Sequence, residues 1–142
     1  NNWIKVLERQ EYIVFVSSLK SPLAKQPTLK LEDLLAERFF LTEKEDNYRY
    51  GLEQHLASRN LSLTPFLEVG HTEFIMNMVK HNLGLSFLPH FAVSESVLRH
   101  ELSILNVTDF QMSMSRQIFY HKDKWLTEEM KEFIRLANLG MV

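Results

Sequence analysis

The thirteen residues Val79–Phe91, VKHNLGLSFLPHF, change character three times. Val79 closes a helical pattern, Gly84 breaks it, LSFL (Leu85–Leu88) is a short apolar run of strand character, and Pro89 opens a second helix. Upstream, Phe74, Ile75, Met78 and Val79 share one helical face while Glu73, Asn77 and Lys80 take the other. Thr72 is expected to cap that helix by accepting a backbone N–H, and Gly84 to end it. A strand that runs straight into a helix start carries backbone to the rim of a sheet, where α/β proteins bind their ligands.

The same alternation extends in both directions. EYIVFV (Glu11–Val16) is β-branched and aromatic and reads as a buried strand, followed by the proline-containing loop SSLKSPLAKQPT. LKLEDLLAE predicts a short helix, and RFFLT (Arg38–Thr42) a second strand. A helix is expected from about Tyr48 to Arg59, with Leu52 and Leu56 inward and Asn60 as a left-handed stop. TPFLEV (Thr64–Val69), LSIL (Leu102–Leu105) and RQIFYHK (Arg116–Lys122) read as strands. The last helix starts near Thr127 and is expected to bury Met130, Phe133, Ile134 and Ala137. Strands alternating with helices predict an α/β protein with largely parallel sheets.

Composition narrows the function. The chain has 142 residues, 45% hydrophobic and 24% charged, enough for a core of its own. A net charge of −2 with no dense Lys/Arg run argues against direct binding to nucleic acid. Cysteine is absent, so thiolate chemistry and disulfides are excluded. No apolar run approaches the roughly 20 residues that span a bilayer, so no membrane partner is expected. The first residues, NNWIKVLERQ, carry neither a signal-peptide pattern nor an initiator methionine. A cytoplasmic location is expected, and the chain is expected to be a piece of a longer one. The histidines at 55, 71, 81, 90, 100 and 121 show no metal-binding spacing. GLSFL is not a nucleophile elbow, and no catalytic set or glycine-rich phosphate loop stands out. No enzyme activity, metal or cofactor is therefore expected.

Four segments, in order, carry a family resemblance: EYIVFVSSLKSPLA, LEDLLAERFFLTEKEDNYRYGLEQHL, EVGHTEFIMNMVKHNLGLSFLP and RQIFYHKDKWLTEEMKEFIRL. In the third, Val79, Gly84, Leu88 and Pro89 all fall in register. From about Glu11 to Leu139 the chain resembles the effector-binding (co-inducer) domain of LysR-type bacterial transcription regulators. The resemblance implies a two-lobed, type II periplasmic-binding-protein-like fold with a small effector between the lobes. It implies crossings between lobes within residues 23–38 and 107–116. Residues 1–38 would be part of lobe one and the first crossover, 39–108 lobe two, and 109–142 the second crossover and return. The family pattern has further elements before EYIVFV, then a linker and a DNA-binding helix-turn-helix. Lobe one is thus expected to be incomplete, and DNA to be reached only through a helix-turn-helix absent from this sequence. A homodimer or homotetramer is expected, with EYIVFV and the last helix exposing surface that a partner covers. A free-standing solute-binding protein and a prephenate-dehydratase-like enzyme of the same fold are the alternatives.

Candidate effector-binding residues cluster at predicted helix starts. In LTEKEDNYR (Leu41–Arg49), Glu43 and Arg49 match the E-x-G-S-G-T-R pattern of relatives that bind anions, while Glu45, Asp46, Asn47 and Tyr48 replace its small residues. A solvated acidic loop is the plainer alternative. His71 and Thr72 open the second helix, Pro89 the third, and Ser17 and Ser18 end the first strand. Helices starting near Asn47 and Thr72 each bring roughly half a positive charge, and Arg49 adds a forked donor set. A small anionic effector is expected, a carboxylate rather than a phosphate.

Overall fold

The computed structural model describes residues 2–43, 46–123 and 126–141. They form two compact units, residues 12–113 and residues 1–11 with 114–142. The divisions fall inside the two long strands, β1 (Trp3–Ser17) and β6 (Met112–His121).

Between these strands the larger unit contains a short 3-10 turn Pro22–Lys25, α1 (Leu31–Leu34), β2 (Phe40–Leu41), α2 (Asn47–Ser58) and β3 (Leu67–Glu68). It continues with α3 (Thr72–Lys80), β4 (Ser86–Pro89), α4 (His90–Leu98) and β5 (Ser103–Ile104). β2 and β3 pair in parallel, Phe40 opposite Leu67, and a parallel bridge joins Phe39 to Leu85 at the entry of β4. β1 lies between β4 and β5 and runs against both, with Ile13 opposite Pro89 and Val16 opposite Ser86 and Ile104. Parallel pairing thus holds for the strands that lead into helices and fails at β1. EYIVFV is accordingly a central strand with Ile13, Phe15 and Val16 buried, and Tyr12 is its one strongly exposed residue.

The alternation of a strand explains how both faces fill. Val16 joins Phe40, Ile75, Val79, Leu88 and Val93 in the core under α3 and α4. Phe15, on the other face, stacks against Phe87 with ring centres 4.5 Å apart and meets Phe39 and Phe110. On α3, Ile75, Met76 and Val79 are buried whereas Phe74 stays exposed, so the buried stripe is displaced from the expected one.

Two helix boundaries differ from expectation. His71, not Thr72, caps α3: its backbone is extended and its Nδ1 accepts from Phe74 N at 3.2 Å. After α3 it is Asn82 (φ 59°) that turns left-handed, not Gly84. Gly84 serves close approach instead, since a Cβ there would sit 2.7 Å from both the Arg38 carbonyl oxygen and the Phe40 ring. Asn60 is left-handed after α2, as its position predicts.

The smaller unit is a ribbon of Trp3–Glu11 with β6, plus α5 (Glu128–Asn138). Lys122 N donates to Asn2 O at 2.7 Å, and Gln117 Nε2 donates to Glu8 at 2.8 Å. Both strands are longer than predicted: charged residues interrupt the alternation in the first half of β1, and the alternating Met112–Ser115 at the start of β6 carries no β-branched or aromatic residue. Thr127 caps α5, accepting from Met130 N at 3.1 Å. Of the four residues expected inside, only Ala137 is buried; Met130 and Ile134 are half-buried and Phe133 is exposed. Two strands and a helix offer too little surface to cover an aromatic ring fully.

Candidate functional site

β2, β3 and β4 run in one direction and each leads into a helix, so α2, α3 and α4 start at one edge of the larger unit. Such an edge collects the unpaired N–H groups and positive ends of helices. Asn47, Tyr48, Thr72 and Pro89 all lie there, as do His71 and Asp46 at the caps. The clustering follows from topology: parallel strands deliver their carboxyl ends to a common side.

Ser17 and Ser18 are not brought to this edge. β1 is antiparallel to β4, so its C-terminal end lies by Ser86, the far end of the four-residue β4 from Pro89. At about 3.3 Å per residue the separation is about 10 Å. Both serines are buried and turned inward: Ser17 Oγ donates to Ser18 O, and Ser18 Oγ accepts from Lys20 N.

Arg49 has the expected position and a different occupation. Its side chain is 1% exposed, and its fork is spent within the protein. Nη1 donates to Thr42 O at 2.5 Å and to Glu68 at 2.8 Å, while Nε and Nη2 hold Glu53 at 3.1 and 2.9 Å. Buried and engaged by these partners, it faces into the protein and not toward a ligand, unlike the anion clamp expected of it. A buried guanidinium must be paired, and these carboxylates pair it.

Around it the loop takes shape. Asp46 stands at the N-cap of α2, yet its carboxylate caps nothing; its N–H donates to Glu43 O at 3.1 Å. Among the described residues, the first turn of α2 thus receives no capping bond from its N-cap side chain. Tyr48 is half-buried, its ring T-shaped to that of Phe87, and burial pushes its phenol above the ordinary range. Glu43 is exposed, and its carboxylate lies against Gly70 in the turn that leads to α3. At the start of α3, Phe74 N is already taken by His71. Glu45, which belongs to the same loop, lies outside the described residues.

Sequence reasoning missed Glu53, Glu68 and Thr42. The four-residue spacing of Arg49 and Glu53 was a usable signal, being that of neighbours on a helix face. Glu68 gave none, because parallel pairing of β2 with β3 alone brings it to Arg49.

These elements define a class: an α/β effector-binding domain of the type II periplasmic-binding-protein-like fold. The chain belongs to the LysR substrate binding domain family, whose model matches residues 5–139. It is 25% identical over 122 residues to the HTH-type transcriptional activator CmpR of Synechocystis sp., covering 86% of this chain and 40% of that protein. It is 29% identical over 128 residues to the uncharacterized HTH-type transcriptional regulator YwqM of Bacillus subtilis, covering 90% and 43%. The chain thus spans about two fifths of these relatives' length. The regulatory domain of Synechocystis CcmR in complex with 2-PG matches with a TM-score of 0.74 at 22% identity, over 97% of this chain and 66% of that one. The effector-binding domain of QuiR in complex with shikimate matches with a TM-score of 0.72 at 15% identity, over 99% and 68%. These likenesses are of fold.

Proposed function

We propose that this chain is the ligand-sensing part of a LysR-type transcription factor, binding a small anionic effector at the edge where α2, α3 and α4 begin. The observation that carries the reading is the convergence of these helix starts, the first of them with an N-cap side chain that makes no capping bond. Backbone N–H groups there are pre-oriented donors for a carboxylate. Glu43 and Asp46 stand beside them, and these carboxylates favour a singly charged ligand over a doubly charged phosphate. The complexes of CcmR with 2-PG and of QuiR with shikimate support a small-molecule effector. The relatives named above are transcriptional regulators, which favours a sensor over a solute-binding protein or a dehydratase-like enzyme.

Binding stabilises one arrangement of the regulator and shifts a pre-existing population. The signal passes through a cytoplasmic homodimer or homotetramer to DNA, which is held by a helix-turn-helix beyond this sequence.

The test is titration of the complete protein with shikimate and with inorganic phosphate, for wild type and Thr72→Asp. A carboxylate at the first position of α3 suits the helix and competes with the effector for the same field. Affinity for the carboxylate is expected to fall several-fold, with the melting temperature unchanged. Intact folding with unchanged or improved affinity would remove this edge as the effector site.

A further inference from the structure

We infer that Arg49 is the positioning residue of the effector site, setting the spacing between the starts of α2 and α3 without touching the ligand. The inference rests on reading this edge as the site. One nitrogen, Nη1, reaches both the exit of β2 through Thr42 O and the end of β3 through Glu68. The guanidinium is planar and rigid, so those two bonds place the two strand exits at a fixed separation. Nε and Nη2 also hold Glu53, one turn along the helix that carries Arg49 itself. The fork therefore ties three elements into one body. Consistent with a fixed spacing, the two following loops meet: a Cβ at Gly70 would lie 3.0 Å from Glu43 Oε1. A ligand addressed by two helix starts needs them held to about 0.5 Å, which two loops joined only by backbone do not provide.

The two carboxylates divide the work. Glu53 shares a helix with Arg49, whereas Glu68 reaches it from another strand. Only the loss of Glu68 should change the spacing. The experiment compares Glu68→Ala, Glu68→Gln and Glu53→Ala in the complete protein. It reads amide hydrogen exchange at Tyr50 and at Phe74 and Ile75, the first hydrogen-bonded amides of the two helix starts, without effector, then titration with shikimate. Glu68→Ala is expected to speed exchange at both helix starts and weaken binding about tenfold. Glu68→Gln, which keeps length and an acceptor, should recover most of the affinity. Glu53→Ala should leave affinity within about twofold at a similar loss of stability. Unchanged exchange at both helix starts in Glu68→Ala overturns the inference, whatever the titration shows. Equal loss of affinity in Glu53→Ala and Glu68→Ala overturns it too, leaving Arg49 a stabilising residue only. If exchange responds as expected but wild type binds neither shikimate nor inorganic phosphate, the site reading fails, and the positioning role for an effector fails with it.

Discussion

Trp3–Glu11 and Tyr12–Ser17 belong to a single strand and live under different physics. The second stretch has β4 on one side and β5 on the other, and Ile13, Phe15 and Val16 are buried on its two faces. The first is one half of a ribbon with β6, with Trp3 56% exposed and only Leu7 of Trp3–Glu11 buried. Regular backbone is the same in both. The apolar area removed from water differs, and that area supplies most of the stability of a fold.

The largest expected effect is therefore at Phe15. Phe15→Ala should cost about 3–5 kcal/mol, because a ring amid Phe39, Phe87 and Phe110 leaves a cavity. Trp3→Ala should cost about 1 kcal/mol or less, since its ring is more than half exposed and meets that of His121 at 5.1 Å. Denaturant unfolding of both variants measures the difference; equal losses would break the contrast. Gly84→Ala comes next, at about 1–3 kcal/mol, because the new Cβ meets backbone that cannot yield. A thermal melt unchanged from wild type would show that the Arg38–Gly84 approach relaxes easily.

Thr127→Ala should cost about 1 kcal/mol by removing the cap on Met130 N. Exchange of amides in α5 should rise while Phe15 and Val16 stay protected, which tests whether the smaller unit opens on its own. Simultaneous loss of protection would join the two units into one cooperative block.

The smallest effect is electrostatic. Burial pushes Asp109 up, but the Leu31 N–H at 2.8 Å and Arg59 at 3.1 Å together hold its carboxyl below the ordinary range. A depressed folded value means that its contribution is complete above the ordinary aspartate range and disappears as pH falls through the folded value. Asp109→Asn should lower stability at neutral pH, and its deficit against wild type should shrink below about pH 4. A deficit constant across the acid range would exclude ionisation of Asp109 as its source.

Legibility tracked the same contrast. EYIVFV, the inward face around Ile75 and Val79, and the Asn60 stop were readable because local periodicity and propensity agree with the tertiary fold there. Trp3–Glu11 was not, since charged residues interrupt its alternation and only β6 makes it a strand. Thr72 and His71 exchanged roles because both can accept a backbone N–H, and the extended backbone of His71 decided between them. Asn47, Thr72 and Pro89 stand at helix starts that follow strand exits, which can be counted along the chain, whereas the place of Ser17 and Ser18 depends on strand direction, which cannot be counted from one chain segment.

By itself the sequence determined the alternation of strands and helices, the stretch Val79–Phe91 that turns a helix into a strand and back, and with them the family. Those features are local, written in spacing, propensity and special residues over a few turns of chain. The tertiary structure alone decided that β1 runs against its neighbours, that Glu68 comes to Arg49 from another strand, and that a charged fork faces inward. Each depends on residues far apart in sequence becoming neighbours, and the energy that selects them exists only once water has been excluded between them.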